Sequence, residues 1–320
     1  MNMVILDGYT VNPGDNPWSE LAKLGDLTVF DRTIASKIIE RCIDADIIFT
    51  NKVLFPKEII QSLPKLKFIS VLATGYNTID LDAAAEQGII VSNVPGYSPP
   101  SVAQHVIALL LHFSNNISLH DSAVKNGEWS TQKDFCFWKA PLFELQGKKM
   151  GIVGFGGIGS KVAALANAFG MEILAYAPRP KTPPSYSPFK FVELDELFVE
   201  SDVISLHCPL TADNEHFVNS AILSTMKKNA ILINTARGQL INEQDLAESL
   251  HNGTIGGAAL DVVEVEPILP NNPLLKAPNT VITPHIAWAT LEARNRLTKT
   301  TVENVAAFLK GAPINVVCKK

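Results

Sequence analysis

The sequence predicts an α/β protein built from two parallel-sheet units, and three observations predict it. Short apolar runs rich in Val and Ile alternate with longer stretches of helical period through most of the 320 residues. The alternation occurs twice, before residue 95 and after residue 148, with a different kind of segment between. A glycine pattern, Gly154, Gly156 and Gly159, sits directly after one apolar run and directly before a helical stretch. Parallel strands read as unbroken apolar runs because helices cover both faces of the sheet, and the intervening lengths suit crossover helices.

In the first unit, strands are predicted at "MVILD", "ADIIFT", "LKFISVLA" and "GIIVSN". From Ser98 to about Asn115 the apolar spacing becomes helical, and "NGEWSTQKDFCFWKAPLFELQGKK" is then irregular and aromatic-rich, suiting a linker, a lid or a subunit contact. The second unit supplies "KMGIVGFG", "EILAYA", "DVISLH", "AILINTA", "GAALDVV" and "TVITPH". A last helix, "LEARNRLTKTTVENVAAFLKG", follows, and its pattern alone leaves open which unit it packs on.

Composition bounds the function. With 47% apolar residues the chain can bury two cores and is not a disordered polymer. A formal net charge of −5 with no run of Lys or Arg argues against a nucleic-acid surface, whereas a pocket for a small anion needs only one or two local cations. Cys42, Cys136, Cys208 and Cys318 lack CxxC or His-paired spacing, so no metal site is expected and a reducing, cytoplasmic setting fits. The start "MNMVILDGYTV" lacks the basic flank and apolar run of a signal peptide, and "VIALLL" after His105 is too short to cross a bilayer.

The glycine pattern carries the first chemistry. In G-x-G-x-x-G the first glycine makes a tight turn, the second lets backbone approach a pyrophosphate, and the third lets strand and helix pack closely. The helix that follows offers free N–H groups to phosphate oxygens. About 20 residues beyond such a turn, an acid commonly binds the ribose 2′-hydroxyl. Here Ala177 stands at that place, with Arg179 and Lys181 following. A guanidinium suits a 2′-phosphate by charge and by geometry, so NADP(H) is favoured while NAD(H) remains possible.

Three further strand ends, "INTARGQLI", "ALDVVEVEP" and "VITPHIAWAT", carry polar residues in apolar surroundings. In a doubly wound sheet these lie on the same side as the glycine turn. Arg237, Glu266 and His285 are the candidates for chemistry. A histidine can give or take a proton near neutrality, a carboxylate beside it stabilises the imidazolium, and an arginine clamps a substrate carboxylate. Read singly, His285 could be an ordinary loop histidine and Arg237 with Glu266 a structural ion pair. Their order at successive strand ends beside the glycine turn is what favours function.

With these residues in view, the sequence resembles the D-isomer-specific 2-hydroxyacid dehydrogenases, most closely the glycerate dehydrogenase or hydroxypyruvate reductase branch. The resemblance runs through "LATGYNTIDL", "VPGYSPPSVAQH", "LQGKKMGIVGFGGIG", "HCPLTADNEH", "LINTARGQLIN", "GAALDVVEVEP" and "TPHIAWAT". It implies two Rossmann-like domains: a flavodoxin-like substrate domain, residues 1–98 with 290–320, and an inserted dinucleotide-binding domain, residues 99–289, with the active site in the cleft. It implies reduction of hydroxypyruvate- or glyoxylate-type 2-keto acids by a homodimer. D-Lactate or phosphoglycerate as substrate, or a nucleotide-sensing corepressor-like role, are the alternatives.

Carried over by position, the resemblance makes Arg237 the ligand of the substrate carboxylate and keto oxygen, His285 the acid, and Glu266 its partner. Backbone around Thr74 and Gly75 would complete the carboxylate contacts. Gly154, Gly156, Gly157, Ile158 and Gly159 would meet the pyrophosphate, Arg179 the adenosine ribose, and Cys208 and Pro209 the adenine. Thr235, Ala236, Asp261 and Ala287 would lie toward the nicotinamide. Two departures stand out: Ala177 in place of the acid, and Gln104 where many relatives have Glu. Trp138, with Phe135 and Phe137, would fill a dimer interface or line the partner's pocket.

Overall fold

The computed structural model of the protein describes residues 1–318. They form two compact units, one of residues 1–98 with the chain from Ala289 onward, the other Pro99–Trp288. Each is a Rossmann-like, doubly wound parallel sheet.

In the first unit, β1 (Asn2–Ile5), β2 (Asp26–Val29), β3 (Ile47–Thr50), β4 (Phe68–Val71) and β5 (Ile90–Ser92) lie in the order β2-β1-β3-β4-β5. All pairings are parallel, and this strand order is the flavodoxin-like one. β3 and β4 are buried along their whole length, as their unbroken apolar sequence requires. β2, by contrast, has no apolar run: "DLTV" is a largely exposed edge strand held by its register with β1.

The helix Leu291–Leu309 packs on this unit, which settles what its sequence left open. Phe308 stacks on Phe68 with ring centroids 4.5 Å apart. Arg294, buried, is bidentate to Asp15 and donates to the Val11 carbonyl. The chain beyond the helix then pairs antiparallel with β5 at Ser92 and Val316, closing that edge.

In the second unit the order is β12-β11-β10-β9-β6-β7-β8, again all parallel. The strands are β6 (Lys149–Val153), β7 (Glu172–Tyr176), β8 (Phe189–Phe191), β9 (Val203–Leu206), β10 (Ile231–Asn234), β11 (Gly257–Leu260) and β12 (Thr280–Ile282). The order reverses between β6 and β9, so the switch point lies at the carboxyl end of β6, where the glycine turn begins. The helices Pro99–Asn115 and Gly157–Ala168 share one core through Val102, Val106 and Leu110 and through Val162, Ala163 and Ala166. β8, three residues long and half-buried at an edge, was not marked by any apolar run. Because every strand is parallel, the loops leaving β6, β9, β10, β11 and β12 gather at one edge of this sheet.

Candidate active site

The three glycines of the turn do three separate things. Gly154 has φ +100, and a side chain there would also meet the backbone of His207 and Cys208 at 2.8 Å, so the turn is pressed against the loop leaving β9. Gly159 admits no side chain either, since a Cβ would collide with the Gly154 carbonyl. Gly156, between them, is exposed with open space where its Cβ would be. Gly157 and Ile158 open the helix Gly157–Ala168, which no side chain caps at its N-terminus. Uncapped N–H groups beside an open glycine backbone are the kind of place where a helix can take phosphate oxygens.

β7 ends at Tyr176, followed by half-buried Ala177 and by Arg179 and Lys181, both exposed. On the neighbouring loop Pro209 is exposed and Cys208 half-buried, with burial pushing the Cys208 thiol up and away from reactivity. His207 bonds Ser205 Oγ through Nε2 at 2.9 Å, and burial pushes its imidazole down to about 3. It therefore stays neutral, and its backbone, not its ring, is what lies against Gly154.

The loop after β10 is shaped by buried Asn234. Its Oδ1 accepts from Ala236 N at 2.9 Å and its Nδ2 donates to the Arg237 carbonyl at 2.8 Å. Thr235 Oγ1 is buried without a hydrogen-bond partner among the described residues, an orphaned group at the edge where a nucleotide would lie. Arg237 is half-buried; its Nη1 donates to the Ala236 carbonyl at 2.6 Å. It makes no ion pair with a described residue, so the alternative of an Arg237–Glu266 pair is not what the fold builds. Gly238 lets this loop lie directly on the backbone of Val263 and Glu264, where any Cβ would collide.

Glu266 and His285, separated by 19 residues, meet at 2.6 Å through Oε2 and Nδ1. With Nδ1 engaged, Nε2 is the ring nitrogen left for a substrate. His285 has φ +54, a left-handed backbone that costs about 1–2 kcal/mol outside glycine. The bend is held by Asp261, whose Oδ1 accepts from Thr283 Oγ1 at 2.6 Å and Ile286 N at 2.9 Å, and whose Oδ2 accepts from Ala287 N at 2.8 Å. No accessible surface remains on the Asp261 side chain, so its carboxylate is spent on the histidine loop. Ala287, expected toward the nicotinamide, is buried, with its N–H bound by Asp261 and its carbonyl by Ser101 Oγ at 2.5 Å.

Sequence reasoning missed the support behind this loop. His105 Nε2 lies 3.0 Å from Thr283 Oγ1. Since Thr283 Oγ1 donates to Asp261, it accepts from His105, which places the His105 proton on Nε2. The signal was present in "SVAQH" and "VITPH", although nothing in either segment says that they touch. In the first unit Thr74 and Gly75 lie in the turn after β4. Thr74 Oγ1 donates to the Val94 carbonyl at 2.9 Å, and its own carbonyl accepts from Asn93 Nδ2 at 2.7 Å. Exposed Gln104 makes no contact that explains it.

Among the described residues no helix is long and apolar enough to cross a membrane, and no cluster of three His, Cys, Asp or Glu could hold a metal ion. The second unit thus carries, at one sheet edge, an open glycine turn at a helix N-terminus, a histidine held by a carboxylate, and an arginine with no ion-pair partner among the described residues. The family model described as "D-isomer specific 2-hydroxyacid dehydrogenase, NAD binding domain" matches residues 107–287, and the chain belongs to that family. It is 47% identical to a hydroxypyruvate reductase of Blautia hydrogenotrophica, covering all of both chains. To a glycerate dehydrogenase of Methylorubrum extorquens it is 41% identical over 88% of each. Among solved structures it is similar to D-lactate dehydrogenase from Aquifex aeolicus complexed with NAD and lactic acid, at a TM-score of 0.86 and 30% identity over the whole of both chains.

Proposed function

We propose that this dehydrogenase reduces hydroxypyruvate- and glyoxylate-type 2-keto acids to D-2-hydroxy acids, with NADPH preferred and NADH accepted. The observation that carries the reading is the 2.6 Å contact of His285 Nδ1 with Glu266 Oε2, which leaves Nε2 as a proton donor at the sheet edge that also bears Arg237. The orphaned Thr235 hydroxyl and the open backbone at Gly156 fit a dinucleotide. Gly156, Gly157, Ile158 and Gly159 would hold its phosphates, Thr235 and Ala236 its nicotinamide end, and Cys208 and Pro209 would flank its adenine. When bound, it supplies the hydride.

The protein's own residues do the rest. Arg237 binds the carboxylate and keto oxygen and draws negative charge onto that oxygen. His285 gives its Nε2 proton to the oxygen as the carbonyl is reduced, and Glu266 holds the ring and stabilises its charged form. Arg179 pairs with the 2′-phosphate, a reading supported by its exposure and by Ala177, which removes a repulsive acid.

We further propose a homodimer joined through the segment after the helix Pro99–Asn115, where Phe135 is 88% and Trp138 68% exposed. Four free cysteines fit a cytoplasmic setting. Steady-state rates with hydroxypyruvate, glyoxylate and pyruvate, each with NADPH and NADH, test the reading. The highest kcat/KM is expected for hydroxypyruvate or glyoxylate with NADPH. A preference for pyruvate would make it a lactate enzyme, and nucleotide binding without turnover of any keto acid would favour the sensor reading.

A further inference from the structure

Three loops at the ligand edge of the second sheet are joined by polar contacts that the chemistry described so far does not use. Gln239, two residues after Arg237, accepts from His216 N through its backbone carbonyl at 2.8 Å. Its side-chain Nε2 donates to the Glu264 carbonyl at 2.7 Å. His216 Nε2 in turn lies 3.3 Å from Glu264 Oε1, within ion-pair distance but without hydrogen-bond geometry. The triangle joins the loop leaving β9 (His216), the loop leaving β10 (Gln239) and the loop leaving β11 (Glu264).

The surroundings fix each corner. His216 has φ +51, which turns its N–H toward Gln239, and the next residues continue the pairing with Val218 N on the Leu240 carbonyl at 3.1 Å. Glu264 N donates to Glu243 Oε1 at 2.7 Å, and Glu243 Oε2 accepts from Asn272 Nδ2 at 2.6 Å. Gly238 brings the backbones of the second and third loops into contact. Arg237 is thus two residues from one corner, and Glu266 is two residues from another.

We propose that Gln239 and the His216–Glu264 pair form a brace of positioning residues that sets Arg237 at a fixed distance from the Glu266–His285 pair. The inference rests on the reading that Arg237 and His285 handle the keto acid. It assigns to this chain a structural reason for glutamine at 239: neither a shorter nor a purely apolar side chain could donate to the Glu264 carbonyl. Two links span the same gap, one a hydrogen bond through Gln239 and one the looser His216–Glu264 contact, so losing either leaves the other in place and losing both frees the arginine loop.

The test is kinetic, on the full-length enzyme. Gln239→Met keeps length and removes the donor; Glu264→Gln keeps shape and removes the charge facing His216. Each alone should lower kcat/KM for hydroxypyruvate by roughly threefold. The double variant should lose about a hundredfold, more than the ninefold product, because contacts that share one geometry do not add. The loss should appear as a raised KM for hydroxypyruvate and weaker inhibition by oxamate, which carries the same carboxylate and carbonyl. The NADPH Kd, read by fluorescence, should stay within twofold. A double variant no worse than the product, or a loss that follows the NADPH Kd, overturns the brace. Arg237→Ala and His285→Ala serve as controls. If they are inactive while the double variant is not impaired, only the brace fails; if they turn over like wild type, the underlying reading fails first.

Discussion

Asp261 holds Ala287 by a 2.8 Å hydrogen bond from its backbone N–H, and with its other oxygen takes Ile286 and Thr283, so that the left-handed bend at His285 is enclosed by one buried carboxylate. A charged acceptor serving three donors is worth more than three neutral bonds, and each lost partner would leave a buried donor unsatisfied. Asp261→Asn turns one of those acceptors into a donor. It should cost about 2–4 kcal/mol of stability, by the loss of charge-assisted bonds, and lower kcat while leaving NADPH binding nearly unchanged. Denaturant unfolding and steady-state kinetics on one preparation check both.

The Glu266–His285 contact predicts a different pattern. Glu266 meets the ring through Oε2 and accepts from the Val263 N–H through Oε1 at 3.4 Å; a glutamine keeps an oxygen for Val263, so Glu266→Gln should shift unfolding midpoints little while kcat for hydroxypyruvate drops by about 10²-fold, the order expected when general-acid catalysis is impaired. An unchanged kcat would reduce Glu266 to a loop residue.

At the glycine turn the proposed nucleotide contact at Gly156 and the packing at Gly159 can be separated. Gly156→Ala points its methyl into open space; it should fold normally and raise the NADPH Kd. Gly159→Ala drives a methyl into the Gly154 carbonyl and should destabilise the second unit by about 2–3 kcal/mol, an overpacking cost. Calorimetry with nucleotide titration distinguishes the two.

His207 gives a pH prediction whose sign follows from burial. Its folded-state value is pushed down from 6.5 to about 3, so the unfolded chain binds the extra proton in that window. Stability is fully present above pH 6.5 and falls as pH drops toward 3, with a slope approaching about 1.4 kcal/mol per pH unit. His207→Asn should flatten the slope between pH 6.5 and 4 in urea unfolding experiments.

The proposed preference for NADPH assigns cofactor discrimination to the residues after β7. Arg179→Ala should raise KM for NADPH several-fold more than for NADH, and Ala177→Asp should reverse the preference by setting a carboxylate where the 2′-phosphate would lie. Equal effects of Arg179→Ala on both nucleotides would make it a solvated surface charge.

The interior strands were legible because burial on both faces demands unbroken apolar runs, as in Ile47–Thr50 and Ile231–Asn234. The edge strands β2 and β8 were not, since "DLTV" and "FKF" are ordered by pairing with a neighbour and not by their own hydrophobicity. The catalytic candidates were legible as residue types at strand ends. What each carboxylate faces was not. Asp261 and Glu266 read alike in sequence, yet one is sealed behind the histidine loop and the other touches the ring. Contacts such as Gly238 on Val263, or His105 on Thr283, join segments far apart in the chain and leave no local signature.

Whether His285 and Arg237 carry the reduction is read from hydroxypyruvate turnover by His285→Ala and Arg237→Ala, with NADPH binding measured alongside. In each variant kcat/KM should fall by about 10²- to 10⁴-fold, the range for loss of a general acid or a charge clamp, with the NADPH Kd within a few-fold of wild type. Turnover near wild type in both variants would contradict that role.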